Sequence, residues 1–178
     1  MTTPNTTRIW IAIQFSPSKR DQIRELQAQL TDIVPEGFAI EPDPHVSVIP
    51  SAVIPSQAHG DIKSTVEQHT TELDSIQTGE LVLYPPILPY VVSLNVKSAL
   101  HHIRSTLINQ IYHLGGTLQY PPVDPHITLF KAGDDKQSSP RLRFSAYSKF
   151  HREIESFDSD SIPTNEIVDE IELTLREF

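Results

Sequence analysis

The feature that most constrains the fold is a six-residue pattern that occurs twice. Residues 43–48 read Asp-Pro-His-Val-Ser-Val, and residues 124–129 read Asp-Pro-His-Ile-Thr-Leu without a gap. We call the difference in residue number between His45 and His126 the repeat offset. The same offset relates the apolar positions of the two segments that precede the patterns. A unit of strand, helix and strand is therefore predicted to occur twice, over about residues 8–48 and 89–129.

Each unit opens with a predicted strand, because apolar residues alternate along it with residues of other types. The alternating apolar residues are Ile9, Ile11, Ile13 and Phe15 in the first unit and Tyr90, Val92, Leu94 and Val96 in the second. On the first strand the other face carries Trp10, Ala12 and Gln14. The first strand is therefore predicted to have one strongly apolar face that packs on a core.

A predicted helix follows each opening strand. Ser16 and Pro17 supply an N-cap and a proline at the first helical position, Ser98 can cap the second helix, and Gly115-Gly116 ends it. The apolar stripes are Ile23, Leu26, Leu30 and Ile33 in the first helix and Leu100, Ile103, Leu107, Ile111 and Leu114 in the second. The repeat offset fails at one position, where Ile23 corresponds to Arg104.

The segments outside the repeat complete the same plan. Residues 56–76 are predicted to form a weaker helix, and residues 81–84 and 171–175 are predicted to form strands. Residues 133–150 are rich in turn-forming and basic residues and are predicted to form an irregular loop. Because no linker separates independent units, we expect residues 1–178 to form one domain of two related halves.

Composition excludes several classes of site. The chain has no cysteine, which excludes disulfides, thiolate metal sites and cysteine nucleophiles. No apolar run approaches the ~18 residues needed to cross a bilayer, and the polar residues 1–7 lack a signal-peptide core. We therefore expect no membrane association and a cytoplasmic location. The sequence is compatible with a monomer but does not determine the oligomeric state.

Charge is distributed unevenly along the chain. The net charge of −9 argues against broad, unspecific binding to nucleic acid. The segment of residues 131–152 is basic nevertheless, with Lys131, Lys136, Arg141, Arg143, Lys149 and Arg152. This segment is either a solvated basic loop or a contact for substrate phosphates, for which Lys131, Arg141 and Arg143 are the candidate residues. In a regular strand Lys131 would lie on the face opposite to His126.

The short strands predicted at residues 45–49 and 126–130 each place a histidine and a hydroxyl residue on one face. Residues two apart in a strand share a face and lie about 6.6 Å apart along it. His45 therefore points the same way as Ser47, and His126 the same way as Thr128, while apolar residues alternate with them. A polar pair held by an apolar core is the rigid arrangement that a catalytic site needs.

Two such pairs on opposite walls of a cleft are suited to a phosphodiester. A neutral imidazole can take a proton from the attacking oxygen, and an imidazolium can give one to the leaving oxygen. The hydroxyl groups can donate hydrogen bonds to the non-bridging oxygens, where negative charge must be stabilised. This chemistry requires neither a metal nor another cofactor, and we expect none.

The paired motifs resemble the defining motifs of the two-histidine (2H) phosphoesterase superfamily. They are most similar to those of its LigT-like members, known as 2′-5′ RNA ligases or RNA 2′,3′-cyclic phosphodiesterases. The opening strand at residues 8–13 also resembles this family, and the resemblance covers most of residues 8–131. It departs at residues 49–51, which read Ile-Pro-Ser where RNA-acting members often have Phe-Leu-Gly. It departs again at residues 130–131, which read Phe-Lys where an arginine often follows the motif.

The resemblance implies an α+β fold of two pseudo-symmetric lobes, with antiparallel sheets lining a central cleft and helices outside. It implies His45 and His126 as the catalytic pair and Ser47 and Thr128 as the phosphate-binding hydroxyls. The implied substrate is an RNA end or a nucleotide with a 2′,3′-cyclic phosphate, which water opens to a 2′-phosphate. A 2′-5′ RNA ligase activity is a further implied activity. We favour His126 as the base that activates water and His45 as the acid that protonates the 3′ oxygen, but the sequence does not determine which histidine is the acid and which the base.

Other functions fit the same sequence. A non-catalytic module with this fold could hold a nucleotide or an RNA end, although binding alone would not need two proton-transfer groups. An enzyme acting on small cyclic phosphates of nucleotides or ADP-ribose derivatives is a further alternative. Asp43 and Asp124 are interpreted as turn residues. A metal site built from two Asp-x-His units is less favoured, because the Gly-Asn-His motif expected of a metallophosphoesterase is absent.

Overall fold

The computed structural model describes residues 5–34, 37–73, 75–84, 91–97, 100–121, 123–132, 148, 152–153, 156, 167–168 and 172–177. The strands are β1 (Thr6–Gln14), β2 (Phe38–Ile40), β3 (His45–Pro55), β4 (Ser75–Tyr84), β5 (Val91–Lys97), β6 (Thr117–Leu118), β7 (His126–Ala132), β8 (Ile167–Val168) and β9 (Glu172–Glu177). The helices are α1 (Pro17–Leu30), α2 (His59–Glu72) and α3 (Leu100–His113). The predicted α+β architecture is confirmed.

The strands form an antiparallel sheet in which the two histidine strands are neighbours. Its order is β8-β4-β5-β7-β3-β1-β9, with β2 added beside β7 and β6 beside β3. The C-terminal strand predicted at residues 171–175 is confirmed as β9, which pairs with β1. Strands that are distant in the chain, β3 and β7, therefore meet at the centre of the sheet.

The centre of the sheet carries the pseudo-two-fold symmetry that the fold class predicted. Val46 of β3 pairs with Ile127 of β7, and these two residues correspond to each other under the repeat offset. When corresponding residues of an antiparallel pair face each other, the symmetry axis passes between them. The two halves of the sheet are thus related by an axis between the histidine strands.

The same symmetry extends to an irregularity in each histidine strand. Within these described strands, Val48 has no register partner on β1, and Leu129 has none on β5, so each histidine strand contains a β-bulge there. The pairs that flank the two bulges are Ile11–Ile49 and Ala12–Ser47 in the first half and Val92–Phe130 and Ser93–Thr128 in the second. Because the repeat offset also carries Val48 onto Leu129, the bulge belongs to the repeated unit.

One face of the sheet carries the core. The alternating residues Ile9, Ile11 and Ile13 of β1 are fully buried, as the alternation predicted. The helices cross between the halves, since α1 packs on β7 and α3 packs on β3. Within the described ranges, no helix combines the length and the apolar composition needed to span a bilayer.

The helix boundaries follow local signals in the sequence. Ser16 caps α1 by accepting a hydrogen bond from the backbone N–H of Lys19 at 3.4 Å, and Pro17 is the first helical residue. After α3, Gly115 adopts a φ of 80°, and the N–H of Gly116 donates to the carbonyl of Ile111 at 2.8 Å. Both predicted boundaries are confirmed, whereas Ser98 lies outside the described residues.

Four predictions of element length were wrong, the first for α1, which ends at Leu30 although its predicted apolar stripe includes Ile33. The strand predicted at residues 45–49 continues through Pro50 to Pro55, because its second half pairs with β1 and β6. The helix predicted over residues 56–76 is a 3₁₀ turn, Ser56–Ala58, followed by α2, which ends at Glu72. The strand predicted at residues 81–84 begins earlier, at Ser75, so Ile76 belongs to β4 and pairs with β8. For both strands, pairing with a distant strand outweighed the local pattern.

Candidate active site

Four polar residues surround the pseudo-two-fold axis on the face of the sheet opposite to the core. At the axis, Val46 and Ile127 are fully buried. Because successive side chains in a strand point to opposite faces, the residues that flank these two project from the other face. These flanking residues are His45 and Ser47 in β3 and His126 and Thr128 in β7. The residues predicted as catalytic and phosphate-binding therefore lie together.

Both histidines are oriented by the same local contact. Nδ1 of His45 lies 2.8 Å from the carbonyl oxygen of Asp43, and Nδ1 of His126 lies 2.8 Å from that of Asp124. A carbonyl oxygen only accepts, so each Nδ1 carries the hydrogen and donates it. Of the two ring nitrogens, Nε2 is therefore the one that can exchange a proton with a ligand, as a base when neutral and as an acid when protonated.

The hydroxyl of Ser47 is oriented by a residue of the neighbouring strand. The indole Nε1–H of Trp10 donates to Oγ of Ser47 at 3.2 Å. Because the indole only donates, the Ser47 oxygen accepts, and its own hydrogen is directed to another acceptor. The Trp10 ring also packs edge-to-face on the His45 imidazole, with ring centroids 4.8 Å apart and an interplanar angle of 89°.

The structure adds two carboxamide residues that sequence reasoning missed. Gln14 pairs with His45 across β1 and β3, and Asn95 pairs with His126 across β5 and β7. Paired residues share a face, so each histidine has an amide side chain beside it. Nε2 of Gln14 is buried and lacks a hydrogen-bond partner among the described residues. The repeat itself was the missed signal, because the repeat offset carries Gln14 onto Asn95.

The two aspartates of the motifs face arginines. The Asp43 carboxylate lies 3.4 Å from Nη1 of Arg20, and the Asp124 carboxylate acts on Arg104. Burial lowers the pKa of the Arg104 guanidinium below its usual value, and the negative charge of Asp124 opposes that shift. These contacts, together with the backbone bonds to the histidines, support the interpretation of both aspartates as turn residues. Across the part of the chain that the structure describes, no group of three or more His, Asp or Glu side chains is arranged to hold a metal ion.

The bulge changes the position that the sequence indicated for Lys131. Its register partner is Val91, two residues before the partner of Thr128, so Lys131 shares a face with Thr128. The expectation that it lies on the opposite face applied to a regular strand, and the bulge makes this strand irregular. Its ammonium group forms an ion pair with Glu41, and 54% of its side chain remains exposed. Arg141 and Arg143 lie outside the described residues.

Comparisons with known proteins place this geometry in a wider context. No family model and no curated protein matches the sequence. Among solved structures, TT0787 of Thermus thermophilus is similar with a TM-score of 0.57 and 16% identity, over 75% of this chain and 78% of that one. Escherichia coli LigT complexed with 3′-AMP is similar with a TM-score of 0.53 and 17% identity, over 76% of this chain and 79% of that one.

A third structure is similar over nearly the full length of both chains. Usb1 of Kluyveromyces marxianus with uridine monophosphate matches with a TM-score of 0.56 and 13% identity, over 98% of this chain and 99% of that one. At such low identity the likeness concerns the fold. These neighbours are two-histidine phosphoesterases, and the chain therefore has the fold of the 2H phosphoesterase superfamily.

Proposed function

We propose that the protein is a phosphoesterase that opens 2′,3′-cyclic phosphates of RNA ends or nucleotides with water, without a metal. The observation that carries this proposal is the symmetric histidine pair. Both imidazoles have Nδ1 bonded to a backbone carbonyl at the same distance, so Nε2 of each ring is the atom that we assign to proton transfer. Two equivalent proton-transfer groups around one axis are what a displacement at phosphorus requires.

The proposed reaction transfers two protons, one from the attacking water to His126 and one from His45 to the leaving 3′ oxygen. Nε2 of neutral His126 removes a proton from water, whose oxygen forms a bond to phosphorus. The bond between phosphorus and the 3′ oxygen breaks, and the imidazolium of His45 gives its Nε2 proton to that oxygen. The products are a 2′-phosphate and a 3′-hydroxyl, and exchange with solvent returns both rings to their starting protonation states. The rate should therefore rise and then fall with pH.

The hydroxyls complete this mechanism. Ser47 accepts from Trp10, so its own O–H can donate to a non-bridging phosphate oxygen. Thr128 holds the corresponding position in β7 and takes the same role at the other non-bridging oxygen. Hydrogen bonds to these oxygens stabilise the charge that builds up in the transition state, and removing one such donor typically costs about 10²–10³ in kcat.

The substrate class rests on the chemistry of the site and on the structural neighbours. LigT was crystallised with 3′-AMP and Usb1 with uridine monophosphate, which supports a nucleotide as the ligand of this site. Lys131 lies on the site face and can approach a further phosphate. We propose an RNA end or a nucleotide as the substrate, with 2′-5′ RNA ligation as a second reaction of the same groups.

The test is hydrolysis of a panel of 2′,3′-cyclic mononucleotides and oligonucleotides in EDTA. The wild-type protein should open them, and His45→Ala and His126→Ala should each lose about 10²–10⁴ in rate. His102→Ala is the matched control, because His102 is exposed on α3, and it should keep full activity. Full activity in either site variant, or complete loss in EDTA, would contradict the mechanism.

The same panel distinguishes the alternatives. Tight binding of cyclic phosphates without turnover would indicate a non-catalytic module. Turnover of cyclic mononucleotides or ADP-ribose derivatives, with no turnover of oligonucleotides, would indicate a small-molecule enzyme.

A further inference from the structure

The bulge in each histidine strand is held by a buried polar side chain from the other half of the repeat. In the second half, the carbonyl oxygen of Leu129 accepts from Nε2 of Gln27 at 2.8 Å and from the N–H of Glu41 at 2.8 Å. Gln27 belongs to α1, in the first half. A bulge leaves a residue outside the regular ladder, and this contact satisfies its carbonyl.

The first half shows the reciprocal contact. Nε of Arg104 donates to the carbonyl of Val48, the bulged residue of β3, at 3.0 Å. Nη2 donates to the carbonyl of Ser47 at 3.2 Å, and Nη1 donates to the carbonyl of Val123. Arg104 belongs to α3, in the second half. Its guanidinium therefore bonds the strand of one histidine and the segment that leads into the other.

Gln27 makes the corresponding second bond. Its Nε2 also donates to the carbonyl of Glu41, at 3.0 Å, in the segment that leads into His45. Gln27 thus connects the segment before His45 with the bulge beside His126. Arg104 connects the segment before His126 with the bulge beside His45. The bulges immediately follow Ser47 and Thr128, so any shift at a bulge moves a site residue.

Both residues stand at helix positions where an apolar side chain would be expected. Gln27 is 1% exposed and Arg104 is 7% exposed, on helix faces that are otherwise mainly apolar. Under the repeat offset, Arg104 corresponds to Ile23 and Gln27 to Ile108. The buried polar residue of α3 therefore lies one helical turn earlier in its helix than the buried polar residue of α1. The two helix positions at which the repeat pairs an apolar residue with a buried polar one, Ile23 with Arg104 and Gln27 with Ile108, are therefore the positions of these contacts.

We propose that Gln27 and Arg104 are positioning residues that hold the two histidine strands at the separation and orientation required for catalysis. They act through the backbone and contact no substrate. As a statement about catalysis, this inference rests on the proposed function. As a statement about histidine geometry, it is independent of that function.

The test compares methionine substitutions on the same helix faces. Gln27→Met and Arg104→Met remove the donors while keeping a long side chain, and each should lower kcat by about 10²-fold with little change in KM, because small misplacements of catalytic groups cost about that much. Leu26→Met and Leu107→Met replace the apolar neighbours and should keep kcat. Circular dichroism at the assay temperature verifies that each variant is folded.

A conservative variant separates positioning from simple stability. Arg104→Lys keeps the charge and can bond fewer of the three carbonyls, so its kcat should lie between those of wild type and Arg104→Met. If Arg104→Met does not fold, Arg104→Lys alone decides. A kcat equal to that of the Leu107→Met control, in folded Arg104→Lys and Gln27→Met, would overturn the proposal.

NMR, which does not depend on catalytic activity, tests the positioning role separately from the proposed hydrolysis. NMR spectra of the imidazole nitrogens report the environment of His45 and His126 directly. Gln27→Met and Arg104→Met should each shift the resonances of both histidines, including the one in the opposite half, whereas Leu26→Met should not. Unchanged resonances of the opposite-half histidine would overturn the positioning role. An inactive wild-type protein with these shifts would instead refute only the proposed reaction.

Discussion

The contact between Trp10 and Ser47 gives a quantitative test of how the hydroxyls proposed to bind phosphate are oriented. Trp10→Phe removes the indole N–H that donates to Ser47 at 3.2 Å, but it keeps an aromatic ring beside His45. The Ser47 hydroxyl is then free to rotate, and part of its population no longer donates to the phosphate. We expect the variant to lower kcat for hydrolysis of a 2′,3′-cyclic nucleotide and to leave the fold intact.

The magnitude follows from the single hydrogen bond that is lost. Such a bond contributes about 0.5–1.5 kcal/mol, which corresponds to about a 2- to 12-fold loss in rate. Ser47→Ala removes the donor to the phosphate itself and should cost about 10²–10³ in kcat. If Trp10 acts on the rate through the Ser47 hydroxyl, its substitution has no further effect once that hydroxyl is absent.

The assay is therefore a double-mutant cycle of Trp10→Phe and Ser47→Ala, with kcat measured for all four proteins. The coupling should equal the whole effect of Trp10→Phe in the wild-type background. Thermal unfolding of each protein checks that the rates refer to folded enzyme. If Trp10→Phe lowers kcat by the same factor with and without Ser47, the indole acts through another contact, such as the His45 ring, and the reasoning about the hydroxyl fails.

Two further predictions address stability and substrate length. Gly116→Ala should lower the free energy of unfolding by about 1–3 kcal/mol in a denaturant titration, because the added Cβ would lie 2.8 Å from Cγ2 of Ile54. Gly60→Ala, where nothing lies within 4 Å of the new Cβ, is the control and should not destabilise; equal losses would contradict the packing argument. Replacing Arg141 and Arg143 by glutamine should weaken oligonucleotide binding and flatten its salt dependence by about 0.7 in slope per lost phosphate contact. A cyclic mononucleotide should be barely affected, and unchanged oligonucleotide binding would identify a solvated loop.

Local patterns in the sequence were sufficient for the parts of the fold that depend on near neighbours. The alternation of Ile9, Ile11 and Ile13 predicted a strand with a buried face, because successive residues of a strand point to opposite sides. Ser16 and Gly115 predicted the start of α1 and the end of α3, because capping is a contact between residues close together in the chain. The repeat offset pairs the two histidine motifs from the sequence alone.

Local patterns were insufficient where the spacing of apolar residues fits both a helix and a strand, and where the length of a strand had to be predicted. Ile76 was assigned to a helix and lies in β4, and the strand predicted at residues 45–49 continues through Pro50. A strand acquires its hydrogen bonds from a partner that is distant in sequence, so its length depends on a neighbour that periodicity does not reveal. The face on which Lys131 lies depends on a distant partner in the same way, because a bulge is a property of the pairing between two strands.

The sequence by itself determined which residues could carry the chemistry, since His45, Ser47, His126 and Thr128 are marked by residue type and by their repeated spacing. Only the tertiary structure decided how they meet, through the Val46–Ile127 pair at the axis. It also decided which residues lie beside them, Trp10, Gln14 and Asn95, and which side chains bond the two bulges, Gln27 and Arg104. These contacts join residues up to 102 positions apart in the chain, as in the bond from Gln27 to Leu129. Packing of the two halves against each other selects such partners, and no pattern within a single helix or strand contains that information.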